Sequence, residues 1–170
     1  MRISVRGSAP CDLGPVRAAA RAALRPFGLH RDAALTIAFV DDAAMRELNR
    51  RHRGRDRTTD VLSFGHDLPA GLRGAAAVAH LPRELDGGLD LGDVVISAAQ
   101  ATRQAARRGH PLVREVAFLA AHGALHLVGH EDETGAGYRE MVRLGSAAIA
   151  AAGLVPARAA HHPVRRAVSR

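Results

Sequence analysis

The chain has one cysteine, Cys11, no tryptophan and no lysine, and only 3% of its residues are aromatic. One cysteine cannot close an internal disulfide, and it excludes a structural metal site built from several thiolates. Such sparse cysteine usage fits a reducing compartment, so a cytoplasmic location is expected. No stretch of about 18 apolar residues runs free of charge, so no membrane-spanning helix is expected. The segment from Met1 to Arg6 carries no long apolar run, so no secretory leader is expected either.

Alanine, glycine and arginine are plentiful instead. The 24 basic residues, all arginine, against 17 acidic ones give a net charge of +7. An excess of that size suits an anionic partner such as nucleic acid. A biased codon composition would inflate arginine as well, and Arg158, Arg165, Arg166 and Arg170 crowd the C-terminal end. The charge alone therefore carries modest weight. A length of 170 residues predicts one domain, able to bury on the order of 70% of its unfolded surface.

The apolar pattern predicts strands over Arg2–Arg6, Leu35–Val40, Thr59–Phe64 and Leu91–Ser97. A helix opening at Asp12 or Gly14-Pro15 carries Val16, Ala20, Leu24 and Phe27 as its buried stripe and closes at Gly28. Asp41 or Asp42 caps a second, with Met45, Leu48 and Asn49 inward. Arg50–Arg57 reads as a basic turn, and 65–90 as a long Gly/Pro/Ala-rich loop. Further helices are expected over Ala98–Arg108, Leu112–Val128 and Tyr138–Ala152, the last with Tyr138, Met141, Leu144, Ala148 and Ile149 on its apolar side. The fold class expected is a single α+β domain, residues 1–155, with a small mixed four-stranded sheet and about five helices. Residues 156–170 read as a basic, disordered tail.

The run Leu112–Val128 is the most informative stretch. It is apolar on nearly every face and so should be buried all round. His122 and His126 are four residues apart on it, which places both imidazoles on one face, one turn apart. That is a bidentate grip for a transition metal. Gly129 then supplies a left-handed residue that reverses the chain, so that Asp132 offers a third ligand, with His130 as its competitor. A peptidase of the H-E-x-x-H type needs a glutamate after the first histidine. Here that residue is Gly123, so the site lacks a peptidase base. Three protein ligands leave a fourth position open, as catalytic zinc sites do.

His122-Gly-Ala-Leu-His126-Leu-Val-Gly129 resembles the H-G-x-L-H-L-x-G core of the YbeY family of bacterial endoribonucleases. The segment Leu48-Asn49, His52-Arg53-Gly54-Arg55-Asp56 and Thr58-Thr59-Asp60-Val61-Leu62-Ser63-Phe64 is similar to that family's L-N-x-x-Y-R-x-x-D-x-x-T-[DN]-V-L-S-F. Leu91-Gly92-Asp93-Val94-Val95-Ile96-Ser97 is similar to its L-G-D-[IV]-x-I-S, and Arg114–Leu119 to the run before the first histidine. Together these cover roughly residues 35 to 150. The chain departs from the pattern after the helix, where the family reads G-Y-D-H and closes with a histidine ligand. Here the same positions are His130, Glu131 and Asp132. The family's proline after Ser-Phe is Gly65, and its aromatic before the arginine is His52.

The resemblance implies a metal-dependent, single-strand-specific endoribonuclease of ribosomal RNA maturation, acting at the 3′ end of 16S rRNA and in ribosome quality control. One zinc ion per chain would be held by His122, His126 and Asp132, with Arg53 clamping the phosphate. Partners would be ribosomal RNA, the small ribosomal subunit and its assembly factors. With so few aromatics, backbone electrostatics should outweigh base stacking in RNA affinity. His110 and Ser63 are expected near the pocket in structural roles. Two other readings use the same residues: a non-catalytic ribosome assembly factor with a structural zinc, and a metalloprotease.

Overall fold

The computed structural model describes residues 1–29, 33–83 and 87–154. Four strands, β1 (Arg2–Arg6), β2 (Ala33–Val40), β3 (Val61–Phe64) and β4 (Leu89–Ser97), form one sheet in the order β1-β2-β4-β3. The first three in that order run parallel, and β3 is antiparallel to β4. Six α-helices accompany them among the described residues: α1 (Leu13–Leu24), α2 (Asp42–Arg53), α3 (Ala75–Val78), α4 (Ala98–Arg108), α5 (Leu112–His126) and α6 (Gly135–Ala151). The expected α+β sheet and its four strands are present. The sixth helix is a single turn, α3, inside the segment read as loop, where it has no amphipathic period to announce it.

Strand alternation divides the core. Leu35 and Ile37 of β2, with Val94 and Ile96 of β4, face the large core made with α1, α5 and α6. Val95 and Leu62 face the other side, where Met45 of α2 covers them. Helix α5 lies between the sheet and α1, with Val116, Ala117, Ala120, Ala121, Ala124 and Leu125 fully buried. Its alanines meet Ala19, Ala20 and Ala23 of α1 in the same cluster, and small side chains on both helices permit a close approach. Gly123 sits where β3 and β4 press hardest on α5: an added Cβ would lie 2.6 Å from Val94 Cγ1 and 3.1 Å from Ser63 Oγ.

Helix starts follow the polar caps. Asp12, Asp41, Ser97 and Thr134 each accept a backbone N–H of the first turn. Three expectations change. The basic segment Arg50–Arg57 is not one turn: α2 continues through Arg53, and left-handed Gly54 ends it. Tyr138, read as apolar face, is 57% exposed, because α6 turns Met141, Gly145, Ala148 and Ile149 inward instead. The described part of 65–90 packs on the end of α5, where Gly74 N–H donates to the Val128 carbonyl at 2.8 Å. The basic tail expected over 156–170 lies outside the described residues.

Gly28 and Gly129 both have left-handed backbones, φ 78° and 79°. Around Gly28 an added Cβ meets nothing within 4 Å, whereas at Gly129 it would lie 2.2 Å from the Leu72 carbonyl oxygen. Gly28→Ala should therefore cost about 1 kcal/mol, the left-handed penalty alone. Gly129→Ala should cost about 3 kcal/mol, because backbone must also move. Urea unfolding midpoints of the two variants test this, and equal losses would mean that the loop yields freely.

Candidate metal centre

The last two turns of α5 carry His122 and His126, whose Nε2 atoms face one another at 3.2 Å. After His126 the chain closes in a double-bonded turn: Gly129 N–H donates to the His126 carbonyl and His130 N–H to the Leu125 carbonyl. This reversal brings Asp132 back over the helix end, with Oδ2 3.4 Å from His122 Nε2. One ligand atom from each of His122, His126 and Asp132 lies within 4.8 Å of the others.

His130 goes elsewhere. Its ring centroid is 5.2 Å from that of Phe27, it is buried, and it lies against Gly74. It takes the place of the family's tyrosine as a packing residue at the turn. Burial pushes its pKa below the ordinary histidine value.

The donor set suits a divalent metal on its own chemistry. Two imidazole nitrogens and a carboxylate oxygen converge, and among the described residues the buried His122 Nδ1 has no hydrogen-bond partner. Burial, and then the neighbouring His126, push the pKa of His122 below the ordinary value, against the opposing pull of Asp132 and Asp60. The neutral imidazole is the form that ligates. Phe118 stacks on His122 at 5.8 Å with an interplanar angle of 25° and fixes the ring. Glu131 Oε2 stands 3.7 Å from His126 Nδ1.

The cluster lies at a cavity of about 350 Å³ whose lining also includes Arg53, Arg55, Arg57, Asp60 and Gln104. Arginine neighbours in sequence are separated here by their partners. Arg46 pairs with Asp56, and Arg50 and Arg51 both pair with Glu47. Arg53, Arg55 and Arg57 form no ion pair among the described residues, so their charge is available to the cavity. The segment that carries them is held at several points. Asn49, 3% exposed, donates to the Arg57 carbonyl at 2.7 Å. Gln104 Nε2 donates to Asp60 Oδ2 at 2.9 Å. Ser97 Oγ donates to Asp42 Oδ1 at 2.8 Å, and Thr58 Oγ1 reaches the same oxygen.

The structure thus brings together Arg53, His122, His126 and Asp132. Ser63 also lines the cavity while donating to the Gly123 carbonyl at 3.0 Å. His110 instead pairs with the buried Glu115, 2.9 Å away, at the start of α5. His52 keeps an aromatic role, edge-on to Phe64 at 4.9 Å. Asp60, Gln104 and Glu131 were not singled out from the sequence. Glu131 carried a signal: a carboxylate just past the glycine that reverses the chain after the second histidine.

The arrangement defines an α+β domain with a two-histidine, one-carboxylate cluster facing an arginine-lined cavity. Comparison with known proteins places it. The family model described as Endoribonuclease YbeY matches residues 14–153. A relative named Endoribonuclease YbeY from Moorella thermoacetica is 43% identical over 141 residues, 79% of this chain and 82% of the relative. Another of that name, from Pelotomaculum thermopropionicum, is 42% identical over 130 residues, 76% of this chain and 78% of its own. The chain belongs to the YbeY endoribonuclease family. A protein of Thermotoga maritima solved in solution shares the fold, with a TM-score of 0.54 at 19% identity, over 86% of this chain and 88% of that one.

Metal content of purified variants tests the cluster. Wild type is expected to hold about one zinc per chain. His122→Ala and Asp132→Ala should lose it, and His130→Ala should retain it. Loss in His130→Ala with retention in Asp132→Ala would reverse the third ligand.

Proposed function

We propose that this chain is a single-strand-specific, metal-dependent endoribonuclease of ribosomal RNA maturation, acting at the 3′ end of 16S rRNA and in ribosome quality control in the cytoplasm. The small ribosomal subunit and its assembly factors are the partners in this reading. Family membership supports the RNA-cleaving activity. The observation that carries the site is the convergence of His122, His126 and Asp132 at a cavity that also holds Arg53. No helix among the described residues is long and apolar enough to cross a membrane.

His122, His126 and Asp132 would hold one zinc ion, a donor set with a fourth position open to water or substrate. When bound, the ion supplies Lewis acidity toward a phosphodiester oxygen and lowers the pKa of water. A carboxylate in place of a third imidazole adds negative charge, which makes that water somewhat less acidic.

The remaining work falls to side chains of this chain. Arg53, free of any carboxylate partner among the described residues, presents a planar fork that matches two phosphoryl oxygens. It balances the negative charge that builds on them as a water oxygen bonds to phosphorus, the P–O ester bond breaks, and the leaving oxygen takes up a proton from solvent. Arg55 and Arg57 extend the positive strip toward neighbouring phosphates. Asp60 and Gln104 hold one another and keep the wall opposite His122 in place. A cavity of about 350 Å³ has room for the phosphate and a flanking nucleotide of one strand.

Arg53→Glu should lower cleavage of single-stranded RNA by at least about 100-fold, with zinc content and thermal midpoint unchanged. Retained cleavage removes Arg53 from the mechanism. Affinity should fall steeply with salt, and Arg55→Ala or Arg57→Ala should each flatten the log–log slope by about 0.7. Salt-insensitive binding contradicts the electrostatic account.

A further inference from the structure

A second cavity, of about 130 Å³, abuts the first. The two share a wall made by Arg53, Ser63, His126 and Glu131, so the candidate metal centre and the phosphate-directed arginine stand at their junction. An endonuclease cuts inside a strand, and its substrate must continue on both sides of the scissile phosphate. The larger cavity takes one side. We propose that the smaller one is a subsite for the nucleobase of the nucleotide on the other side. This proposal rests on the endoribonuclease reading above and deepens it.

The lining has the parts for a base. Leu127, 3% exposed, adds a small apolar patch to a lining that is mainly polar. His66 stands exposed at the rim. Its Nε2 lies 2.9 Å from the Asp90 carbonyl oxygen, which fixes Nε2 as the donor and the ring in place. A held ring is a stacking surface, and stacking tolerates any base because every base has a π-face. Ser63 gives its hydroxyl hydrogen to the Gly123 carbonyl. Toward a ligand, its oxygen is therefore an acceptor for a base N–H or a ribose 2′-hydroxyl.

Gly65 and Leu127 line this cavity side by side. An added Cβ at residue 65 would lie 2.9 Å from Leu127 Cδ2 and 3.4 Å from the Leu91 carbonyl oxygen. A side chain there would displace Leu127 and reshape the cavity wall.

A labelled single-stranded RNA decamer, with an abasic nucleotide placed at each position in turn, tests it. Binding is read by fluorescence anisotropy in the cold on wild type, Gly65→Ala and His66→Ala, and cleavage of the same RNA is read after warming. In wild type, one abasic position should weaken binding about tenfold. Both variants should bind intact RNA about tenfold more weakly and show no further loss at that abasic position. The same abasic loss in wild type and variants overturns the subsite. His66 is exposed, so its variant folds whether or not Gly65→Ala does. Absence of cleavage by wild type, with the coupled loss present, removes the endonuclease reading and keeps the base site.

Discussion

The left-handed turn at Gly129 is the constraint on which the site depends. An imidazole pair on a helix defines only two directions in space. A third ligand must come from a chain that reverses within a few residues of the second histidine. Gly129 permits the reversal because its φ is 79°, and it leaves no space for a side chain because the Leu72 carbonyl lies against it. The two turn bonds from Gly129 and His130 fix where residue 131 begins. Asp132 then lies with Oδ2 3.4 Å from His122 Nε2.

Around that turn the fold resolves a conflict. Helix α5 must be enclosed to place two histidines rigidly, yet its end must open to a charged substrate. Burial therefore differs between the faces of the helix. Val116, Ala117, Ala120, Ala124 and Leu125 are sealed in the core. His122 and His126, on another face, open onto the cavity. The positive side of that cavity comes from a different element, the end of α2 and the chain after Gly54. There, carboxylates neutralise Arg46, Arg50 and Arg51 and leave Arg53, Arg55 and Arg57 unpaired among the described residues. Ion pairing thus sorts a run of arginines into those that stabilise α2 and those that face the cavity.

Much of this was legible from residue order. The α+β class, all four strands and the buried helix follow from periodicity, and the His122–His126 pair follows from i,i+4 spacing. The end of α2 was misplaced because Arg50, Arg51, His52 and Arg53 carry no apolar period, while Gly54 sets the true stop. Tyr138 was assigned inward by its apolar ring, but the buried face of α6 is made by Met141, Ala148 and Ile149, as expected, together with Gly145. The choice between Asp132 and His130 was open in sequence, since both follow Gly129. The structure gives them different neighbours: His130 lies against Phe27 and Gly74, and Asp132 lies 3.4 Å from His122. The cavity partners Asp60 and Gln104 are 44 residues apart, a distance that no local pattern spans.

The central claim is that two imidazoles and one carboxylate bind a single zinc with a position left open. X-ray absorption at the zinc edge of the loaded protein tests it directly. The account predicts a first shell of light atoms at about 2.0–2.2 Å whose outer scattering fits two imidazoles, unchanged in His130→Ala. A shell that fits three imidazoles in wild type and two in His130→Ala would contradict it. That result would mean the turn at Gly129 delivers His130, and not Asp132, to the metal.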